Sequence, residues 1–232
     1  HLKRLRISAK IQGISVPWTD SQLRCEVYCL LQTLNVKSAY IRIVISRGDG
    51  LGVSPPRQSS PRKMIWVKEL ASIENQPCKI LLSPSFRLKR GLHPKTTNYQ
   101  ECQAPLMKSR KKGFDDILWY NLANEVTEAS CSNIFFIKHT DSTTEVDTPS
   151  CQSGLLKGVT RRFILKTLLQ KNIKVRIRKI NREEIFDYQE AFLSSSIKGL
   201  VPVEKLNTKK FKTKKCFSWI KNHYDKLKSN SS

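Results

Sequence analysis

Three short stretches of the sequence carry groups that could do chemistry. Gly158-Val159-Thr160 precedes a segment with helical periodicity, and the first turn of a helix can present N–H groups, a positive dipole end and a hydroxyl to a phosphate. Lys95 follows Pro94 before another predicted helix, and Glu128 lies in a predicted strand. Amines and carboxylates serve in covalent and proton-transfer catalysis. Taken singly, each also fits an ordinary structural interpretation, such as a capping threonine or a surface lysine.

Five blocks of sequence, taken in order, are more specific than any one of these stretches. They are His1-Leu2-Lys3-Arg4-Leu5, Lys95-Thr96-Thr97-Asn98-Tyr99, residues 125–135, Thr148-Pro149 with residues 155–161, and residues 191–196 with Pro202-Val203. These blocks resemble the class IV aminotransferase family, whose enzymes use pyridoxal 5′-phosphate (PLP). The resemblance implies an α/β fold of two subdomains, like that of D-amino acid aminotransferases, and a PLP-dependent enzyme that acts on a small-molecule amino substrate.

The resemblance also implies roles at the reactive end of the cofactor. Lys95 would bond covalently to the cofactor aldehyde and then act as the general base that moves a substrate proton. Glu128 would keep the pyridine nitrogen protonated, because a nearby carboxylate favours the cation. Tyr99 would donate a hydrogen bond to the 3′-oxygen of the ring, whereas Asn133 is predicted to be a structural turn residue.

A second group of residues would hold the phosphate of the cofactor. The resemblance assigns this role to Arg4, the backbone N–H of Val159 and the hydroxyl of Thr160, which combine a charged donor with a helix N-terminus. Ser195 and Ser196 would add contacts at the end of a strand. Cys25 and Cys29 have no second pair of cysteines or histidines at matching spacing, so they are interpreted as ordinary thiols and no metal is predicted.

The sequence leaves the reaction open between two classes of PLP enzyme. Arg47-Gly48-Asp49-Gly50 and the basic run 87–90 look most like 4-amino-4-deoxychorismate lyases, which eliminate pyruvate and give 4-aminobenzoate for folate synthesis. Amino acid transaminases of the branched-chain or D-amino acid type are the alternative. Branched-chain enzymes more often carry two glycines where Thr96-Thr97 stand, and the Arg-x-His pair of D-amino acid enzymes is absent. The resemblance therefore favours the lyase narrowly.

The charge of the chain suggests a further alternative. Forty-two Lys and Arg against nineteen Asp and Glu give a net charge of +23, which suits anionic ligands or polyanions. The densest basic run, 209–215, is predicted to be a solvated tail that contacts polyanions nonspecifically at most, and no motif indicates sequence-specific DNA binding. Arg87, Lys89 and Arg90 are predicted to form a solvated loop, with substrate carboxylate contacts as the alternative. An inactive, truncated relative that serves as a basic binding protein is the competing class.

Hydrophobic periodicity predicts the elements that must position these residues. Helices are predicted at Leu2–Ile11, 21–34 after a Thr19 cap, 99–111 and 161–169, and strands at 40–46, 64–67, Cys78–Leu82, 116–119, 125–128, 133–138, 175–180, 191–194 and 200–203. The predicted organisation is the remainder of an N-terminal α/β subdomain at 1–83, a connector at 84–94, a cofactor-binding α/β subdomain at 95–205 and a basic tail at 206–232. Because members of the family begin with strands that precede the His-Leu-x-Arg-Leu helix, the chain is expected to be N-terminally truncated.

Cysteine usage and apolar runs bear on location and assembly. Seven scattered cysteines without a CxxC pair predict a reducing cytoplasm rather than a disulfide framework. No apolar run reaches the roughly 18 residues of a membrane helix, so no membrane association is predicted. The resemblance implies a homodimer.

Overall fold

The chain divides into two compact units. The structure, a computed structural model, describes residues 1–36, 38–50, 54, 60–71, 76–87, 93–140, 143–171, 173–211 and 215–229. The first unit comprises His1–Glu74 and Pro94–Thr97, and the second comprises Asn75–His93 and Asn98–Ser232. The predicted bounds of 1–83 and 95–205 stay a prediction, and the short segment with Lys95 groups with the N-terminal helices.

The first unit consists of two helices and one antiparallel pair of strands. Its elements are α1 (Leu2–Ile11), α2 (Asp20–Leu34), β1 (Ala39–Ser46) and β2 (Arg62–Glu69). Helix α2 begins with a capping box: Thr19 Oγ1 accepts the Gln22 N–H at 3.1 Å, and Gln22 Oε1 accepts the Thr19 N–H at 2.8 Å. This cap pairs two N–H groups that the helix itself leaves without acceptors. The predicted helices and the Thr19 cap are confirmed.

The second unit is a mixed sheet with helices packed on it. The strands are β3 (Cys78–Leu82), β4 (Asp116–Tyr120), β5 (Val126–Ala129), β6 (Asn133–His139), β7 (Thr144–Pro149), β8 (Lys174–Arg178), β9 (Glu190–Ser195), β10 (Gly199–Leu206) and β11 (Lys209–Lys210). Their order is β5-β4-β3-β10-β9-β6-β7-β8, with β11 paired to β10. The helices are α3 (Gln100–Lys111), α4 (Val159–Gln170) and α5 (Lys215–Ser229), with short 3₁₀ turns at Cys151–Ser153 and Glu184–Asp187.

Alternate residues of the central strands enter two separate apolar clusters. Ile134 and Phe136 belong to one cluster, while Phe135 belongs to the other, as expected because successive side chains of a strand point to opposite faces. Phe135 stacks on Phe192 with ring centroids 4.8 Å apart. Ile164 of α4 joins the same cluster. Helix α4 therefore packs on this face of the sheet against fully buried aromatic side chains.

The C-terminal region differs from its prediction as a solvated tail. Residues Lys215–Ser229 form helix α5, whose Phe217 and Ile220 are 5% and 2% exposed. Phe211, which precedes the helix, is also buried. The prediction was wrong for these residues because it weighted the lysines over the apolar side chains that recur at helical spacing between them. None of the described helices is long and apolar enough to cross a membrane.

Candidate active site

In the first unit, Arg4 and Lys95 are associated with the same helix. Arg4 is half-buried on α1, and Ser8 lies one turn further along and is buried. The backbone N–H of Lys95 donates to Ser8 Oγ at 3.0 Å. Because residues four apart share a helix face, this hydrogen bond places the backbone of Lys95 at the face of α1 that carries Arg4. The side chain of Lys95 is exposed.

In the second unit, Glu128 is a largely buried carboxylate, and one of its oxygens accepts two hydrogen bonds. It lies on β5, and its side chain is 12% exposed. Its Oε2 accepts the N–H of Leu156 at 3.0 Å and Nδ2 of Asn133 at 3.3 Å. Among the described residues, Oε1 has only a long contact of 3.4 Å with Nη1 of Arg87. Since each carboxylate oxygen can accept two hydrogen bonds, Oε1 retains capacity for a further donor, such as a protonated ring nitrogen.

Asn133 connects this carboxylate to the start of α4. Besides its bond to Glu128, its Nδ2 donates to the carbonyl of Leu156 at 2.9 Å. Its Oδ1 lies so close to Gly158 that a Cβ at position 158 would be 2.0 Å away. The close approach requires glycine here, whereas the backbone conformation does not, since φ is −63°. Asn133 has the predicted structural role, although it begins strand β6 instead of lying in a turn.

The first turn of α4 carries Val159 and Thr160. Gly158 precedes them as the N-cap and supplies no side-chain cap, so the first N–H groups of the helix lack intrahelical acceptors. Thr160 is buried. The next residue, Arg161, anchors the helix to β7, because Nε donates to Thr148 Oγ1 at 3.1 Å and Nη2 donates to the carbonyl of Pro149 at 2.9 Å. Burial lowers the pKa of the Arg161 guanidinium from its ordinary value.

The serines at the end of β9 differ in their surroundings. Ser195 is half-buried, and its Oγ accepts the Lys198 N–H at 3.2 Å. Ser196 is exposed in the turn that follows. Ser194, which the sequence did not single out, is 2% exposed and pairs in register with Asn133. The run of three serines signals that at least one of them faces inward, but the register that places Ser194 beside Asn133 cannot be predicted locally.

Arg87 is buried, which corrects its predicted place in a solvated loop. Its side chain is 6% exposed, and Nε donates to Glu101 Oε2 at 3.1 Å. Its guanidinium carbon lies 5.3 Å from the centroid of the Trp119 ring. Since Nη1 contacts Glu128, Arg87 is a neighbour of the candidate site instead of a solvated group. Lys89 and Arg90 lie outside the described residues.

Tyr99 lies at the boundary of helix α3. It is the N-cap residue of that helix and is half-buried. It belongs to the second unit, whereas Lys95, four residues earlier, belongs to the first.

Three polar atoms of the second unit are buried without a hydrogen-bond partner among the described residues. They are Thr127 Oγ1, Ser194 Oγ and Trp119 Nε1. Such atoms are uncommon, and a water or a ligand is the usual explanation. Thr127 precedes Glu128 on β5, and Ser194 neighbours Asn133. Because successive side chains of a strand point to opposite faces, Thr127 does not face the same side as Glu128. Glu128, whose Oε1 keeps acceptor capacity, and the first N–H groups of α4 are the acceptor and donors that fit the pyridine nitrogen and phosphate of PLP.

Comparison with known sequences gives one family and a consistent set of relatives. The sequence model of class IV amino-transferases matches residues 1–206. The branched-chain-amino-acid aminotransferase of Escherichia coli K12 is 28% identical over 217 residues, which cover 89% of this chain and 69% of that protein. A protein of Methanocaldococcus jannaschii, provisionally assigned as a branched-chain-amino-acid aminotransferase, is 25% identical over 98% of this chain and 80% of its own length.

Solved structures resemble the fold closely. A Legionella pneumophila protein, provisionally assigned as 4-amino-4-deoxychorismate lyase, gives a TM-score of 0.90 at 23% identity and covers 97% of this chain and 84% of that chain. The branched-chain amino acid aminotransferase of Escherichia coli gives a TM-score of 0.78 at 26% identity, with 91% of this chain and 70% of that chain covered. The predicted α/β fold is confirmed by these likenesses.

Proposed function

Since the chain belongs to the class IV aminotransferase family and is therefore a PLP-dependent enzyme, we propose that it removes the α-proton of an amino substrate, with Lys95 as the proton acceptor. The observation that carries this proposal is the geometry of Glu128. Its Oε2 is fixed by the Leu156 N–H and by Asn133, while Oε1 keeps acceptor capacity. A carboxylate held in this way suits a partner that must stay protonated.

Two sets of side chains and backbone groups are proposed to bind the cofactor. Arg4, the N–H of Val159 and the hydroxyl of Thr160 would bind the phosphate, helped by Ser195 and Ser196. Tyr99 would donate to the 3′-oxygen of the ring. When bound, PLP supplies an electron-accepting ring that takes up the electron pair left on the substrate α-carbon.

Lys95 is proposed to have two roles in sequence. Its Nζ would hold the cofactor through the aldehyde carbon and, when a substrate amine took that place, would be the group that accepts the α-proton. The hydrogen bond from its backbone to Ser8 Oγ fixes the start of this side chain. Catalysis of proton transfer requires such positioning, because the base must reach the proton within hydrogen-bond distance.

Transamination and pyruvate elimination both begin with this proton transfer, and a different observation favours each. The Escherichia coli relative is a branched-chain-amino-acid aminotransferase, the Methanocaldococcus relative is provisionally assigned as one, and both match over most of this chain, which supports an amino acid transaminase. The glycine-rich Arg47-Gly48-Asp49-Gly50 supports 4-amino-4-deoxychorismate lyase. The Legionella likeness, at 23% identity, adds only that the fold is the same. We place transamination first, because its support comes from aligned sequence over most of the chain.

Absorbance tests the cofactor chemistry. PLP-loaded protein is expected to be yellow, and after dialysis to remove free PLP, Lys95→Ala is expected to lose the near-visible band because the covalent bond that retains the cofactor is lost. Lys108→Ala, which replaces an exposed lysine of α3, is the matched control and should keep the band. A colourless wild-type protein, or a band unchanged in Lys95→Ala, would overturn the proposal.

Product analysis separates the two reactions. The protein is incubated with aminodeoxychorismate and, separately, with a branched-chain amino acid plus 2-oxoglutarate. Glutamate formed only in the second mixture supports the transaminase, whereas 4-aminobenzoate formed only in the first supports the lyase.

A homodimer and a cytoplasmic location stay predictions. Sedimentation of the PLP-loaded protein tests whether it is a homodimer.

A further inference from the structure

Helix α5 lies beyond the residues that the family model matches and is fixed by a buried carboxylate. The family match ends at residue 206, and α5 spans Lys215–Ser229. The Glu190 carboxylate is 2% exposed and accepts the N–H groups of Cys216 and Phe217 at 3.2 and 2.9 Å. Nε2 of His139 lies 2.8 Å from the same carboxylate. A carboxylate at the N-terminus of a helix pairs N–H groups that have no acceptor within the helix.

Two turns further along α5, Tyr224 contacts two other elements. Its ring meets the ring of Phe163 on α4 edge to face, with centroids 5.7 Å apart and an interplanar angle of 84°. A Cβ added to Gly199 would lie 3.4 Å from Cε1 of the same ring. Gly199 has φ +65° and starts β10 directly after the turn from β9. The ring of Tyr224 therefore packs against α4 and against the β9–β10 turn.

These two elements carry the phosphate contacts of the second unit in the proposed function. Val159 and Thr160 lie one turn before Phe163 on α4, and Ser195 and Ser196 lead into the turn that ends at Gly199. Since a phosphate held by both elements needs them at a fixed separation, a rigid ring that touches both can set that separation.

We propose that Tyr224 is a positioning residue for the phosphate of the cofactor: its ring holds the first turns of α4 and the β9–β10 turn at the spacing that phosphate binding requires. Glu190 supports Tyr224 indirectly, because its carboxylate fixes the start of the helix that carries Tyr224. The inference rests on the proposed function, since it takes Val159, Thr160, Ser195 and Ser196 as the phosphate contacts.

The expected signature is a loss of affinity confined to the phosphorylated cofactor. The apo protein is titrated with PLP and, separately, with pyridoxal, which has the same ring and aldehyde without the phosphate. Tyr224→Ala is expected to raise the Kd for PLP about tenfold, the range of a lost aromatic contact, and to leave the Kd for pyridoxal unchanged. Tyr224→Phe keeps the ring and should restore PLP binding.

Two further variants separate positioning from folding. Asn222→Ala changes an exposed residue of the same helix and should alter neither Kd. Phe163→Leu removes the contact from the α4 side, so it should weaken PLP binding selectively even where Tyr224→Ala does not fold. Equal losses of affinity for PLP and pyridoxal would overturn the inference while leaving the proposed function intact. An unchanged Kd for PLP in both Tyr224→Ala and Phe163→Leu would do the same. A wild-type protein that binds neither compound would refute the proposed function and this inference with it.

Discussion

The charge beside Glu128 comes from an arginine far away in the sequence. Arg87 donates to Cys102 Sγ at 3.1 Å and contacts Glu101 and Glu128, and it lies over the ring of Trp119. A guanidinium taken out of water in this way is stabilised only while its partners remain. Glu128 lies on β5, and its side chain is 12% exposed. The two residues therefore depend on each other.

Removing Arg87 tests this dependence. Arg87→Met keeps a long apolar side chain but leaves Glu128 without its cationic neighbour. We expect the free energy of unfolding to fall by about 3 kcal/mol, the lower end of the range of about 3–5 kcal/mol for a broken buried pair, because the side chain of Glu101 is 47% exposed. Urea denaturation followed by circular dichroism measures the change. Arg110→Met, on the exposed face of α3, should cost at most about 0.5 kcal/mol, and a similar loss in both variants would contradict the buried pair.

Single residues differ in how far the sequence could predict their place. Val159 and Thr160 lie at the start of a helix, as predicted, because Gly158 and the following apolar periodicity are local signals. Arg87 was placed in a solvated loop because a basic run near proline and serine looks polar, and its partner Glu128 lies 41 residues away. Ser194 was missed because its burial depends on the pairing of β9 with β6. Contacts of this kind follow from tertiary register, which no local pattern contains.

At its N-cap residue, Gly158, helix α4 begins directly against the side chain of Asn133 on β6. A Cβ at position 158 would meet Asn133 Oδ1 at 2.0 Å, a distance that real atoms do not adopt. Gly158→Ala therefore forces either α4 or the Asn133 side chain to move. We expect a loss of about 1–3 kcal/mol in unfolding free energy, as for other overpacked sites, together with weaker PLP binding. Urea denaturation and PLP titration measure the two effects.

A double-mutant cycle identifies the cause. Asn133→Ala removes the clash but also the hydrogen bonds to Glu128 and to the Leu156 carbonyl. In the double variant with Gly158→Ala, the cost should be smaller than the sum of the single costs by about 1 kcal/mol or more, because the alanine methyl no longer meets the amide. Strictly additive costs would show that the close approach is not what limits position 158.

Elements that are stabilised by ion pairs or by packing between segments far apart in the sequence were not predicted. Strand β7 was not predicted, because Thr144–Pro149 alternates polar residues that normally stay exposed. Asp147 on this strand is nevertheless fully buried, and Arg176 and Arg178 of the neighbouring β8 pair with it at 2.7 and 2.9 Å. Burial alone would raise the pKa of Asp147, but the hydrogen bonds from Arg176, Tyr188 and Arg178 outweigh it and hold the pKa below its usual value. The arginines of β8 thus allow the polar strand β7 to be buried, because they pair with its Asp147.

The whole chain carries an excess of positive charge, and repulsion between these charges destabilises the folded state. With 42 Lys and Arg and 19 Asp and Glu, the net charge is +23, and like-charge repulsion is larger in the folded protein than in the extended chain. Specific ion pairs such as Arg178 with Asp147 act in the opposite direction. Since exposed charges of one sign greatly outnumber those of the other, we expect repulsion to dominate, and salt to stabilise the fold.

Salt titration of stability checks this balance. Raising KCl from about 0.01 M to about 0.1 M shortens the Debye length from about 30 Å to about 10 Å, so the free energy of unfolding should rise, by about 1 kcal/mol. Lys68→Glu combined with Lys166→Glu exchanges two exposed positive charges for negative ones, and the rise should then be smaller. Urea midpoints at each salt concentration give the measurement. A midpoint that falls with salt would mean that the attractive ion pairs, and not the net charge, determine how this chain responds to ionic strength.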